Sequence, residues 1–325
     1  MKVVITGGAG FIGSQLTSAL LERGYLVGPS GNEEPIQSIT LIDISHPSSV
    51  TDDPRIERVV ADATDDVAIR PAIGQDDVSV FHLASMVSAA CENDFDAAIN
   101  VNVRGAQTVL NALRTCRTTP RVVFTSSMAA FGSDAVQSVV SDETKLTPET
   151  TYGITKAIVE LLVNDYTRKG YVDGRSARLP TVIIRPGRPN AAASSWVSGI
   201  FREPLNGQDM VVPVDIDLPV LVTGYRTVVH NLIALHDGRN DELGSDRAMN
   251  LPAIAATANE MTATLCQVAG ERITRFIRHE PDELVSRIFA SWPQASTFDR
   301  ALKLRLKTDT NLESIIQQYI ADFMR

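Results

Sequence analysis

Short apolar runs alternate with amphipathic stretches through the first 185 residues. The runs at 2–6, 38–43, 56–60, 79–83, 121–126 and 179–185 are rich in Val, Ile, Leu and Phe and have the length of buried strands. The stretches at 11–23, 65–73, 93–116 and 152–169 read as helices between them. The first shows the spacing clearly, with Ile12, Leu16, Ala19 and Leu20 on one side and Gly24 as a stop signal. This alternation predicts an α/β fold, a Rossmann-type doubly wound parallel sheet. The span 24–37, with Gly28, Pro29, Gly31 and Pro35, reads as a surface loop before the second strand. After Pro186 the pattern loosens into short helices at 196–206, 225–236, 256–269 and 311–322 and short strands at 249–254 and 272–277. The expected organisation is a sheet domain over 1–186 and a smaller, loop-rich lobe over 187–325 that mostly binds substrate, with some segments returning to the first domain.

The first strand runs into Thr6-Gly7-Gly8-Ala9-Gly10-Phe11-Ile12-Gly13. Gly7 permits a tight strand-to-helix turn, Gly10 lets backbone amides approach a pyrophosphate, and Gly13 lets the following helix lie close on the sheet. The helix dipole then points its positive end at the phosphates. Phe11 and Ile12 lie inside the motif and are expected at the cofactor as well. The second strand ends on Leu41-Ile42-Asp43, where the adenosine ribose of a dinucleotide lies. A carboxylate there accepts both ribose hydroxyls and repels a 2′-phosphate, so Asp43 points to NAD over NADP. The 36 residues from Gly7 to Asp43 exceed the usual spacing of about 20, and the loop at 24–37 supplies the excess. Asp62-Ala63 and Leu83-Ala84 occupy the same carboxyl edge and are further cofactor candidates.

Composition narrows the field. A formal charge of −9 disfavours nucleic acid or an anionic membrane as the main partner. Three scattered cysteines match no disulfide framework or zinc spacing, and five histidines form no metal-binding pattern, so no metal is expected. Met1 leads directly into the first strand and no apolar run reaches bilayer length, which together suggest a cytoplasmic protein.

The second chemical feature is Tyr152-Gly153-Ile154-Thr155-Lys156, which places a phenol and an ammonium at i and i+4 on one helix face. A phenol with pKa about 10 is a poor base at neutral pH. A neighbouring ammonium favours the phenolate and is expected to bring that value toward neutrality. Ser127, 25 residues before Tyr152 and at the end of the 121–126 strand, is placed to hydrogen-bond the oxygen that gains or loses the proton.

These residues, with His82-Leu83-Ala84 and Asn102-Val103-Arg104-Gly105, make the chain resemble the extended short-chain dehydrogenase/reductase family over essentially its full length. The resemblance implies Tyr152 as general acid/base, Ser127 as donor to the reacting oxygen, and Lys156 holding the nicotinamide ribose while tuning Tyr152. It implies a supporting place for Asn102 near the cofactor, and a homodimer formed by pairing the helices at 93–116 and 152–169.

Two departures separate the chain from the family's nucleotide-sugar enzymes. Arg185-Pro186-Gly187-Arg188-Pro189-Asn190 stands where those carry Arg-x-x-Asn-x-Tyr-Gly-Pro, and Phe131-Gly132 where they commonly show Tyr-Gly. The block 185–195, continuing through Arg202-Glu203-Pro204-Leu205-Asn206-Gly207, resembles the D-erythronate dehydrogenase group of this family. That resemblance implies NAD-dependent oxidation of the 2-hydroxyl of a four-carbon sugar acid. Such a substrate needs a cation for its carboxylate, and Arg188 and Arg226 are the candidates. Ser85, Asn190 and Ser194 are candidates for its remaining hydroxyls. A nucleotide-sugar 4-epimerase using the same Ser127, Tyr152 and Lys156, and a non-catalytic NAD-sensing protein, stand as the alternatives.

Overall fold

The computed structural model describes residues 1–28, 30–46, 52–133, 139–188 and 192–324. Val3, Val4 and Ile5 are fully buried because the first strand, Lys2–Thr6, lies in the interior of a seven-stranded sheet. Ser38–Asp43 and then Ile56–Val60 lie on one side of it. On the other side come Val78–His82, Arg121–Ser127, Asp173–Leu179 and Ala248–Asn250. Every neighbouring pair is parallel. The strand order reverses direction between Lys2–Thr6 and Val78–His82, and ligands of such sheets bind outside the carboxyl ends at that point.

The first helix, Phe11–Arg23, ends where Gly24 takes a left-handed conformation and donates to the Leu20 carbonyl. Its Leu16 and Leu20 pack on one face of the sheet with Phe81, joined by Val228 and Leu232 of the helix Tyr225–Asp237. On the opposite face Val109, Leu110, Val122, Phe124, Val159 and Val163 form a second core. A third core gathers C-terminal residues around Trp196, Phe201, Met261, Phe289 and Ile316.

The structure redraws several expected elements. The sixth strand is Asp173–Leu179, not 179–185; the apolar run beyond it forms a separate short strand, Thr181–Ile183, paired with Val220–Gly224. Asp173–Leu179 escapes a hydrophobic reading because it buries two arginines. Arg175 pairs with Asp173 at 2.9 Å and Arg178 with Glu160 at 2.8 Å. The helix expected over 93–116 is broken into Ser88–Asn93, Phe95–Ala98, a π-helical turn Ile99–Arg104, and Gly105–Leu113. The span 24–37 contains a small antiparallel pair, Tyr25–Val27 with Glu33–Pro35. The stretch 272–277 is largely the 3-10 turn Glu271–Phe276, and 249–254 divides between Ala248–Asn250 and Ile254–Ala256. Ala248–Asn250 thus completes the main sheet from within the C-terminal part of the chain.

Candidate active site

The glycine turn is dictated by contact as well as by conformation. Gly7 has φ +74°, and a Cβ there would meet the Ala84 amide nitrogen at 2.8 Å. A Cβ on Gly13 would lie 2.3 Å from the Gly7 carbonyl oxygen, so no larger residue lets the helix start where it does. Beside this turn is a cavity of about 290 Å³ lined by Gly7, Gly10, Asp43, Asp62, Ala63, Leu83 and Ala84. Asp43 braces the turn by accepting from the Ala9 amide at 3.0 Å. A bare backbone cradle with a carboxylate at its far end fits a dinucleotide's pyrophosphate and ribose.

Phe11 departs from expectation in its side chain. Its ring packs on Tyr225 and Phe323, with centroids 5.2 and 6.1 Å away, and ties the glycine turn to the C-terminal helix Leu312–Phe323. Ile12 faces a second cavity instead. Asn102 lines neither cavity. It is buried behind the first, accepting from the Met86 amide at 2.7 Å and donating to Thr155 Oγ1 at 3.0 Å. It therefore fastens the 83–86 turn to the tyrosine helix, Thr151–Arg168.

The second cavity, also about 290 Å³, brings Ile12, Ser127, Tyr152, Arg185, Ser194 and Ser198 together. Ser127 stands at the end of its strand, where its hydroxyl accepts from the Ala129 amide at 3.1 Å and hydrogen-bonds the Tyr152 phenol. Thr150 starts the tyrosine helix by accepting from the Gly153 amide at 3.1 Å. Gly153 is essential to this geometry. A Cβ there would lie 2.0 Å from the Ala129 carbonyl oxygen, so a side chain would push Tyr152 away from Ser127. Nothing in the Tyr-x-x-x-Lys spacing announced that role.

Lys156 is buried, donates to the Thr125 carbonyl at 2.8 Å, and lies 5.4 Å from the Tyr152 ring centroid. The expected lowering of the phenol pKa is not what the site does by itself. Burial pushes Tyr152 up to about 12, opposed by its bond to Ser127. Burial also pulls Lys156 down to about 7, opposed by Cys91 and Glu160. Two groups that both favour neutrality exchange little charge, so desolvation prevails over their mutual attraction.

Three substrate candidates are displaced. Ser85 lines the first cavity, within 3.1 Å of Asn102 Oδ1, and not the second. Arg188 is exposed and meets the site through its carbonyl, which accepts from Arg185 Nη2 at 2.5 Å. Arg226 is half exposed, pairs with Asp322 and lies outside the tyrosine cavity. Asn190 lies outside the described residues. Arg185, Ser198, Phe289 and Trp292 line the cavity and were not among the substrate candidates read from the sequence. The strand shift explains Arg185: with Asp173–Leu179 as the sixth strand, Arg185 falls in the loop over the cavity.

A model of the NAD dependent epimerase/dehydratase family matches residues 3–229. The chain belongs to that family. As an epimerase/dehydratase family member it depends on NAD, and its parallel sheet is the fold of its structural neighbours. It is 42% identical over 322 residues to a D-erythronate dehydrogenase of Cupriavidus necator, covering 99% of this chain and 98% of that one. It is 40% identical over 320 residues to a D-erythronate dehydrogenase of Haemophilus influenzae, covering 98% and 99%. Among solved structures, a nucleoside-diphosphate-sugar epimerase from Agrobacterium tumefaciens matches with a TM-score of 0.89 at 35% identity, covering 100% of this chain and 94% of that one. No helix among the described residues is long and apolar enough to cross a membrane.

Proposed function

We propose that this epimerase/dehydratase family member is an NAD-dependent dehydrogenase that oxidises the 2-hydroxyl of D-erythronate to 2-oxo-D-erythronate. The observation that carries this reading is the composition of the second cavity, where Ser127 and Tyr152 share about 290 Å³ with one arginine. That arginine supplies the cation that the carboxylate of an acid substrate needs beside the reacting hydroxyl. The near full-length similarity to two D-erythronate dehydrogenases supports the same substrate.

When bound, NAD supplies the acceptor for the hydride that leaves C2. The first cavity would hold it, with the glycine turn, Leu83 and Ala84 at the pyrophosphate, Asp43 at the adenosine ribose, and Asp62 and Ala63 around the adenine. Tyr152 takes the hydroxyl proton while Ser127 hydrogen-bonds the same oxygen, so the carbonyl forms as the C–H and O–H bonds break. Lys156 would hold the nicotinamide ribose, and its positive charge, when present, favours the phenolate. Ser194 does not use its hydroxyl to cap its own helix, which supports its place at a substrate hydroxyl.

Ile154, Ile158 and Leu161 are exposed along one side of the tyrosine helix, an apolar stripe that supports a homodimer paired through this helix. The absence of cysteine pairing among free Cys91, Cys116 and Cys266 supports a cytoplasmic setting. The deciding measurement is NADH formation at 340 nm with NAD and D-erythronate beside L-threonate and D-glycerate. Strong turnover of D-erythronate is expected; turnover of a nucleotide sugar with none of the acids would overturn the reading.

A further inference from the structure

Arg185 is the one described residue lining the tyrosine cavity that carries a permanent positive charge. Leu221, Phe289, Trp292 and Pro293 give the cavity much of its apolar wall, and serine hydroxyls line the rest. A guanidinium has five N–H donors, and the Arg188 carbonyl at 2.5 Å takes one of them. Glu203, the carboxylate whose charge reaches Arg185, is already bonded to Arg202 at 2.5 Å. The three charges leave a surplus of one positive at this corner of the cavity.

The backbone of Arg185 is fixed from the helix Ser195–Leu205. Its amide donates to Ser198 Oγ at 3.2 Å, and its carbonyl accepts from Arg202 Nη1 at 2.6 Å. Arg202 is in turn buried and held by Glu203. The arginine therefore projects from a braced loop rather than a loose one.

We infer that Arg185 binds the substrate's carboxylate and so selects 2-hydroxy acids over neutral polyols at this site. The inference rests on the dehydrogenase reading above. A planar guanidinium meets a carboxylate through two parallel hydrogen bonds, which fixes the acid's rotation as well as its position. With the carboxylate held, the adjacent carbon is the one whose hydroxyl falls to Tyr152 and Ser127. Burial and the like charge of Arg202 push Arg185 down from its ordinary pKa, so a bound anion relieves an existing penalty. The same charge surplus offers nothing to an uncharged polyol.

The test compares the full-length wild type with Arg185→Met, which keeps length and loses charge, and Arg185→Lys, which keeps charge and loses the fork. D-Erythronate and the uncharged D-erythronamide are assayed as substrates, and D-erythronate binding to the NADH complex is measured by calorimetry. Arg185→Met is expected to lose about 30-fold or more in D-erythronate affinity and kcat/KM, with Arg185→Lys between it and the wild type. NADH affinity stays unchanged in both, which reports correct folding, and the poor turnover of the amide is the same in all three. Wild-type oxidation of D-erythronate with Arg185→Met within about 3-fold overturns the inference and leaves the dehydrogenase reading standing. Binding without oxidation, lost in Arg185→Met, upholds the inference and removes the D-erythronate reaction. A wild type that neither binds nor oxidises the acid overturns both.

Discussion

Ser126 donates its hydroxyl hydrogen to Glu160 at 2.5 Å, and Glu160 stands one helical turn beyond Lys156. The same carboxylate receives Arg178 at 2.8 and 3.0 Å, so strand Arg121–Ser127, strand Asp173–Leu179 and the tyrosine helix meet at one buried ion pair. Removing one partner of such a pair strands the other charge in a medium that cannot solvate it. Glu160→Gln is expected to lower the unfolding free energy by about 3–5 kcal/mol, read from urea melts. The double replacement Glu160→Met with Arg178→Met should recover part of that loss, and a double variant as unstable as the single would contradict the desolvation argument.

Lys156 imposes a cost of its own. Its folded pKa of about 7 lies below its unfolded value, so between about 7 and 10.5 the unfolded chain binds a proton that the folded chain does not. Stability then rises with pH across that window, and the penalty is fully present below it. Lys156→Met is expected to abolish turnover yet to raise Tm relative to wild type most strongly below pH 7, with the gap shrinking as pH climbs toward 10.5. A gap independent of pH would mean the ammonium is not held down by burial.

Burial pushes the Tyr152 phenol up to about 12, so its basic form is scarce at neutral pH. Oxidation draws on that form and reduction of the 2-oxo acid draws on the protonated one. The kcat/KM for oxidation should climb through the alkaline range while that for reduction stays level around neutrality. Tyr152→Phe should keep NADH binding and lose about 10²- to 10⁴-fold in turnover. A variant that keeps its turnover would remove Tyr152 from proton transfer.

Gly13→Ala places a methyl 2.3 Å from the Gly7 carbonyl oxygen, against backbone that has nowhere to move. The expected result is a loss of about 1–3 kcal/mol in stability together with weakened NADH binding, followed by its fluorescence. Gly24→Ala makes a useful contrast. Nothing lies within 4 Å of its Cβ, and its strain comes from φ +77° alone, so it should cost stability without touching cofactor affinity.

The glycine turn, Asp43 and the Ser127, Tyr152 and Lys156 set were legible because each is a local pattern whose spacing fixes its geometry. The structure gathers them at the sheet's carboxyl edge as that logic requires. The substrate side was not legible in the same way. Arg188 and Arg226 were chosen by residue type and neighbourhood in sequence, and neither property says which face of a loop or helix looks into the cavity. Arg226 turned instead to Asp322, almost a hundred residues away. The tyrosine cavity borrows Phe289 and Trp292 from a helix, Glu283–Ala290, and the turn after it, which the periodicity did not mark out. The break in the 93–116 helix was hidden for a related reason: the π-helical turn that re-aims Asn102 is set by its bonds to Met86 and Thr155, which are tertiary.

The strand Ala248–Asn250 reaches the sheet about seventy residues after the strand it covers. Without that strand, Asp173–Leu179 is an open edge, with unpaired backbone groups able to recruit another chain. Arg175 and Arg178 sit on that edge, and charges directed inward from an unprotected strand discourage such pairing. The arginines that disguise this strand in the sequence are also the kind of charge that an unprotected edge calls for.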